Sequence, residues 1–489
     1  MTTATGSLRA LAVKSVAWYG ATRLWAQLIS WTVTILLARL LFPHDYGRFG
    51  IAMSVLSLLE LLQEFGLGAA LIQRRDLTRQ EINAVFWVVT STSVLLAAAV
   101  FGAAGIIGRI YGEPGLAWPL RLLCLTFVLN SMGVVPSSLL TRAINLRQRS
   151  LAEAFGTTAS ASVALLLAYF GYGVAALVIG HLMRAVVLNL LLTYFAGWLP
   201  GIDVDMDGLR GLLTFGVPIA GTHLVQAATT ASTIFILARL LGAAAVGLYT
   251  TAQSLTEAPH RLSTGIINQI SMPLFSKVQD DRALLSAAFL KISRFLAFVA
   301  MPTQIGLALV APDLVPILLS SKWESLIRPF QILCLENSVM LSTLTCSPLL
   351  LARGRTNLLF NQAVLVFVGA AAATLVGAPF GLAGVMIARL IILIPLRLLL
   401  LVLALRELEL SPVVYVRSLA APLYAATLVS GAVYLVRHGW PLQNSQLELL
   451  CVSIATGTIT YLASVIWLDR SLRADLRTMA RDLLLTPRG

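Results

Sequence analysis

Apolar stretches of about 20 residues recur along the whole chain, each followed by a short polar turn. A helix of that length crosses a bilayer core of about 30 Å. Backbone groups in hydrocarbon need partners inside their own segment, which helices supply. The two-residue alternation of a membrane barrel is absent. The pattern predicts an all-α polytopic membrane protein of about fourteen transmembrane helices. They run over 16–41, 46–72, 82–107, 116–140, 151–170, 173–197, 209–241, 244–274, 287–311, 328–351, 358–378, 381–405, 413–436 and 446–468. The start, "MTTATGSLRALAVKSVAWYG", has no compact apolar region followed by a small-residue cleavage site, so the first helix is expected to stay attached.

Two of these stretches carry nearly the same phrase. "LLARLL" fills Leu36 to Leu41 and "ILARLL" fills Ile236 to Leu241, so a shift of 200 residues brings Arg39 onto Arg239. The same shift brings Gly47 onto Gly247, Phe49 onto Tyr249 and Ala52 onto Ala252. At a shift of 210, "WPLRLLCL" from Trp118 resembles "RPFQILCL" from Arg328, and Pro119 meets Pro329 as Cys124 meets Cys334. The chain therefore reads as two six-helix lobes, 1–200 and 201–405, then two additional transmembrane helices in 406–468 and a basic amphipathic tail at 469–489. An even number of spans per lobe makes the repeats parallel. Such repeats build transporters around a central cavity, with one lobe rocking against the other; duplicated scaffolding is the alternative.

Composition agrees with a lipid environment: 58% of residues are hydrophobic and 12% charged, against about 25% charged in a soluble domain. The net charge of +13 would suit nucleic acid, but its distribution follows the membrane instead. With a cytoplasmic N-terminus, 22 Lys and Arg fall in inner segments and five in outer ones (Arg48, Arg109, Lys322, Arg328, Arg437). That bias orients both termini toward the cytoplasm. The tail "LDRSLRADLRTMARDLLL" spaces Leu and Met at helical intervals with Arg between, which suits a helix lying on an anionic leaflet. Cys124, Cys334, Cys346 and Cys451 lie in or beside apolar stretches without a CxxC pair, and read as small buried hydrophobes.

Charges within the spans carry the candidate chemistry. Arginine at mid-helix costs about 2.5–3.5 kcal/mol, so the arginines assigned to the membrane rather than to its flanking segments do not all face lipid. Arg39, Arg121 and Arg239 near outer ends and Arg397 near an inner one are placed to snorkel. Arg23, Arg184, Arg261 and Arg389 are deeper and are expected to face a watery cavity or a buried acid. The acids are Glu60, Glu64, Glu153, Glu257 and Glu336; Glu60 and Glu64 share a helix face, as do Glu257 and Arg261. The 200-residue shift sets Glu60 opposite His260, which makes the second and eighth spans the expected cavity walls. Only four of the 35 basic residues are lysine, and guanidinium forks match phosphate oxygens.

Several motifs fail on inspection. "GIDVDMDGLR" contains D-x-D-x-D-G, but the twelfth position counted from Asp203 is Thr214 where a calcium loop needs Glu. The same stretch offers a DxD without a catalytic domain around it, and a short acidic turn capping the seventh span is the simpler reading. No GxxxxGK[ST] or HExxH occurs. No soluble segment exceeds about twenty residues, so an enzyme is not expected, nor a metal site or an organic cofactor.

"LLARLLFPHDYGRFGIA" resembles the first-hairpin signature of bacterial polysaccharide transporters, the Wzx-like flippases of the multidrug/oligosaccharidyl-lipid/polysaccharide (MOP) exporter superfamily. "YGEPGLAWPLRLLCL", "VPSSLLTRAINLRQRS", "LLTFGVPIAG" and "KWESLIRPFQILCL" followed by "ARGRTN" are similar to its later blocks, in order, over residues 10–405, in the flavour of its colanic-acid-exporter-like branch. The resemblance implies a bacterial inner-membrane protein with a V-shaped pair of bundles. It implies movement of undecaprenyl-pyrophosphate-linked oligosaccharide to the outer leaflet, coupled to protons or sodium, beside a polysaccharide polymerase and export machinery. No site residue is carried over from the resemblance; by placement within the spans, Arg23, Arg39, Arg184, Arg239 and Arg261 are expected to bind substrate. Glu60, Glu64, Glu257, Glu336 and His260 answer to the coupling ion. The rival readings are a cation-coupled multidrug exporter of the same superfamily and a membrane glycan polymerase or ligase.

Overall fold

The computed structural model describes residues 25–468 apart from 26, 28, 30, 65, 75–76, 144 and 440–445; along 206–223 and 258–270, and at a few further helical positions including Glu64, it describes backbone only. The described residues are helical, with no strand among them. Nine helical segments among them are long and apolar enough to cross a membrane. Contacts divide the chain into two compact units, Met1–Gly247 and Leu248–Gly489.

The first unit begins with α1 (Trp31–Leu40). It continues with α2 (Pro43–Glu64), α3 (Leu67–Gln73), α4 (Arg79–Ile110), α5 (Ala117–Leu123), α6 (Leu125–Arg142), α7 (Leu146–Tyr169) and α8 (Val174–Ala196). The first part of α9 (Met206–Lys277) completes it. Helix starts follow local chemistry. Thr78 accepts from the Glu81 backbone N–H while the Glu81 carboxylate takes the Thr78 N–H, a capping box at the head of α4. Asn145 caps α7 through the Gln148 N–H. The acidic connector is stitched to the head of α4: Gln80 donates to the Asp203 carboxylate at 2.7 Å, and Trp87 donates to the Gly201 carbonyl at 2.8 Å.

Between lipid-solvated helices the packing term comes from close approach of small residues rather than from exclusion of water. Gly180 of α8 therefore meets the Ser160 carbonyl and Ala164 of α7, and Gly156 of α7 meets the Arg184 carbonyl and Leu188 of α8. The closest crossing joins α2 to α9. A Cβ on Gly47 would overlap the Ala243 carbonyl, and one on Gly247 would overlap the Pro43 carbonyl. Under the 200-residue shift Gly47 and Gly247 exchange places, and Pro43 exchanges with Ala243. The crossing thus has the two-fold self-complementarity of an isologous contact. Just before it, α9 breaks at Gly242, where φ 82° and ψ 173° suit glycine and strain other residues.

The second unit holds the rest of α9, then α10 (Arg282–Leu319), α11 (Ile327–Ser342), α12 (Cys346–Ala352), α13 (Thr356–Gly377) and α14 (Gly381–Glu407). Helices α15 (Pro412–Ser418), α16 (Ala420–Gly439) and α17 (Gln446–Leu468) follow. Its core gathers Phe275, Phe289, Cys346, Leu349, Ala404 and Tyr415 from five helices. One end of this unit is clasped by Arg282 with Glu409 and Arg355 with Glu407. At the opposite end Arg437 of α16 reaches Asp313 of α10 at 3.0 Å.

Among the described residues the helices overlie the apolar stretches read from the sequence, with interruptions inside some of them. The stretch 46–72 is broken at Gly66, which is left-handed at φ 73°. The stretch 328–351 divides between α11 and α12, and 413–436 between α15 and α16. Three of the four cysteines are buried as expected, whereas Cys451 is exposed on α17; its neighbours there are apolar, so its thiol faces outward in an otherwise lipid-compatible surface.

Candidate functional site

Two polar constellations lie within apolar helices, one in each unit. In the first unit, Met53, Glu60 and Gln63 of α2, Asn130 and Val134 of α6, and His181, Arg184 and Ala185 of α8 line a cavity of about 380 Å³. Helical spacing explains the convergence: Glu60 and Gln63 are one turn apart, as are His181 and Arg184. The polar walls are held by bonds behind them. Gln63 Nε2 donates to the Phe127 carbonyl at 2.9 Å, fixing its amide and leaving the Oε1 acceptor. Asn189 donates to Asn130 Oδ1 at 3.2 Å and to the Ala185 carbonyl at 2.7 Å, which orients Asn130 with its NH₂ available. Gly133 makes room for that arrangement, since a Cβ there would overlap the Asn189 side chain. The His181 ring stands edge-on to Phe49, with centroids 6.0 Å apart.

Neither Glu60 nor Arg184 has an ion-pair partner among the described residues. The cavity therefore presents a guanidinium, a carboxyl, an imidazole and two amides, with its acid and its arginine not closed into an ion pair. Such a set suits an anionic group bound by the Arg184 fork, with Glu60 and His181 as groups able to exchange a proton.

In the second unit, Glu336 of α11 is almost wholly buried. Its Oε1 lies 3.1 Å from Arg389 Nη2 and 3.8 Å from Arg397 Nη2, both on α14. The two arginines are eight residues apart, so they share a helix face and converge on one carboxylate oxygen. The Arg389 guanidinium also sits 5.7 Å from the centroid of the Tyr249 ring. Glu336 Oε2, Arg389 Nε and Arg397 Nε remain buried without partners. This is the buried acid expected opposite Arg389. The snorkelling expected of Arg397 is not what is seen: its side chain is 20% exposed and turned inward, because a buried carboxylate attracts it more than the membrane surface does.

The other expected site residues are dispersed. Arg39 is exposed on α1. Arg239 is exposed on α9, with its guanidinium beside Gly112. Arg121 extends over the Phe101 ring at 5.4 Å. Glu257 accepts from Gln253 one turn earlier at 2.9 Å. Arg23 and the side chains of Glu64, His260 and Arg261 lie outside the described residues. His181, Gln63 and Asn130 escaped sequence reasoning. For His181 a signal existed, since an imidazole three residues before Arg184 must share its helix face.

At one end of the first unit, Arg48 pairs with Glu113 at 3.3 Å and His44 approaches the same carboxylate at 3.7 Å. These charges lie away from the cavity residues and tie the start of α2 to the turn after α4.

The profile of a family described as polysaccharide biosynthesis protein matches residues 36–328, well over half of the chain. The chain belongs to that family. It is 26% identical over 327 residues to the lipopolysaccharide biosynthesis protein WzxC of Escherichia coli K12, a match spanning 66% of each chain and so just under two thirds of WzxC. It is 25% identical over 454 residues to the succinoglycan biosynthesis transport protein ExoT of Rhizobium meliloti 1021, spanning 91% of each. Among solved structures, the lipid II flippase MurJ in an inward closed conformation superposes with a TM-score of 0.77 at 14% identity, covering 93% of this chain and 99% of that one. An inward-facing multidrug resistance MATE transporter of the MOP superfamily gives a TM-score of 0.65 at 15% identity, covering 78% and 94%. At these identities the likeness is one of fold: the family member described here is a multi-pass membrane protein with the MOP fold.

Proposed function

We propose that this protein is an inner-membrane flippase for undecaprenyl-pyrophosphate-linked oligosaccharide repeat units, serving exopolysaccharide, capsule or O-antigen assembly, and not an enzyme. The observation that carries the reading is the Arg184 cavity, where a guanidinium fork and the Glu60 carboxyl line one space among apolar helices without forming an ion pair. A pyrophosphate crossing the bilayer needs such a fork to replace its water, while a prenyl tail stays in lipid. The names of WzxC and ExoT, a biosynthesis protein and a transport protein, support the same substrate class. The lobes are 1–200 and 201–405, with both termini cytoplasmic, and they alternate access around the midplane. Arg184 holds the pyrophosphate, with Arg23, Arg39, Arg239 and Arg261 along its route. Glu60 with His181 is the site of the coupling ion; Glu64, Glu257, Glu336 and His260 are further members of the polar path. A polysaccharide polymerase and the export machinery act downstream. The cavity's guanidinium disfavours the cationic substrates of a drug exporter.

The test is deletion of the gene followed by extraction of lipid-linked intermediates. Single repeat units trapped in the inner leaflet, released to the outer leaflet on complementation, are the expected result. Normal polymer outside the deleted cell refutes the proposal, and so does a new glycosidic bond formed by the purified protein.

A further inference from the structure

A second cavity, of about 890 Å³, opens at one end of the second unit. The loops at that end are the turn Ser321–Leu326 between α10 and α11 and the turn Ala378–Phe380 before α14. The opposite end carries Lys277, Arg282, Arg353, Arg355, Arg406 and Arg417, against Lys322, Arg328 and Arg437 here. The positive-inside rule therefore assigns the cavity to the outer face.

Its lining differs from a lipid groove. Ser321, Glu324, Ser325, Arg328 and Gln446 supply hydroxyl, carboxylate, guanidinium and amide groups. Pro312, Pro316 and Pro329 supply rigid CH surfaces beside them. Planar side chains with paired donors or acceptors match vicinal hydroxyls, and the carbon faces match sugar rings. The lining segment 321–329 is anchored by Trp323 and Leu326 within it and Phe330 just after it, all fully buried. Ser320, at the hinge into this turn, is held at φ 91° although it is not glycine, and its buried hydroxyl has no partner. A non-glycine residue kept in that region marks backbone over-determined by its surroundings, as happens beside ligand sites.

We infer that this outer cleft binds the oligosaccharide headgroup of the translocated lipid, holding its sugars on the outer side through Glu324, Arg328 and Gln446. The inference rests on the flippase reading above and adds to it a glycan site separate from the Arg184 cavity. An occupied outer cleft would oppose return of the headgroup to the inner leaflet.

The test uses full-length protein with Cys451→Ser, which removes the exposed thiol, and Ser325→Cys as the reporter. A membrane-impermeant maleimide is added to intact spheroplasts and, separately, to protein in nanodiscs. The probe is oligosaccharide released by mild acid from the host's own lipid-linked repeat units. At ten times its midpoint concentration it should slow labelling about tenfold, as single-site occupancy requires, and Glu324→Ala with Arg328→Ala in the same chain should abolish the protection. Undecaprenyl phosphate should not protect. Equal protection by sucrose, or none by the probe, overturns the glycan site. Protection in spheroplasts that is lost in nanodiscs overturns it in favour of a protein partner. Leaflet assays on the same cells report transport independently, so a dead cleft in a working flippase is distinguishable from a failed flippase reading.

Discussion

Adding a methyl group to Gly47 tests the crossing of α2 and α9 quantitatively. A Cβ there falls inside the Ala243 carbonyl, and its counterpart on Gly247 falls inside the Pro43 carbonyl, so backbone rather than a flexible side chain must yield. Overpacking of this kind costs about 1–3 kcal/mol per site. The two overlaps lie across a single self-complementary contact, so the displacement that admits one methyl largely admits the other. Gly47→Ala and Gly247→Ala should each destabilise the purified protein by that amount. The double variant should cost well below the sum, with a coupling of at least about 1 kcal/mol, in the range found for residues in direct contact. Equilibrium unfolding of the four proteins in mixed detergent and denaturing micelles gives the cycle. Strict additivity, or single variants as stable as the parent, would refute the argument from symmetry.

Three further outcomes follow from other sites. Glu336→Ala leaves two buried guanidiniums without an acid and should cost about 3–5 kcal/mol, whereas Arg397→Ala should cost less because its contact is longer at 3.8 Å and partly exposed; the same unfolding measurement ranks them. Arg184→Ala should lower glycolipid translocation about tenfold to a hundredfold, the worth of one charge-assisted hydrogen bond, at unchanged membrane abundance. Arg184→Lys should recover only part, since the fork is lost; full recovery in a leaflet assay would reduce Arg184 to a bare charge. Thr78→Ala removes the α4 capping box and should cost about 1 kcal/mol, visible as a lower melting temperature with transport intact.

The helical architecture was legible because lipid imposes one period and one length on every span. Gly47 and Gly247, matched by the 200-residue shift, stand where a side chain would overlap the facing backbone. Interruptions at Gly66 and after Ser342 were not read, since apolarity continues through them while the backbone turns. Charge placement was half legible. Depth along a helix made Arg389 a partner for a buried acid, and the same criterion misassigned Arg397, because depth ignores which face a residue occupies. Arg389 and Arg397 are eight apart and share a face, which was the available signal. The Arg184 cavity needed α2, α6 and α8 brought together, and no spacing within one helix reports Asn130.

The partnership of Glu336 with α14 bears on how the chain is made. Helix α11 is 16 residues long and carries its acid near the middle, so alone it is a poor candidate for stable membrane insertion. Its stabilising cations lie 53 and 61 positions further on, in a far more apolar segment. Stable insertion of α11 is therefore expected to depend on the later arrival of α14. A ribosome stalled between the two would leave a half-inserted intermediate exposed to quality-control proteases.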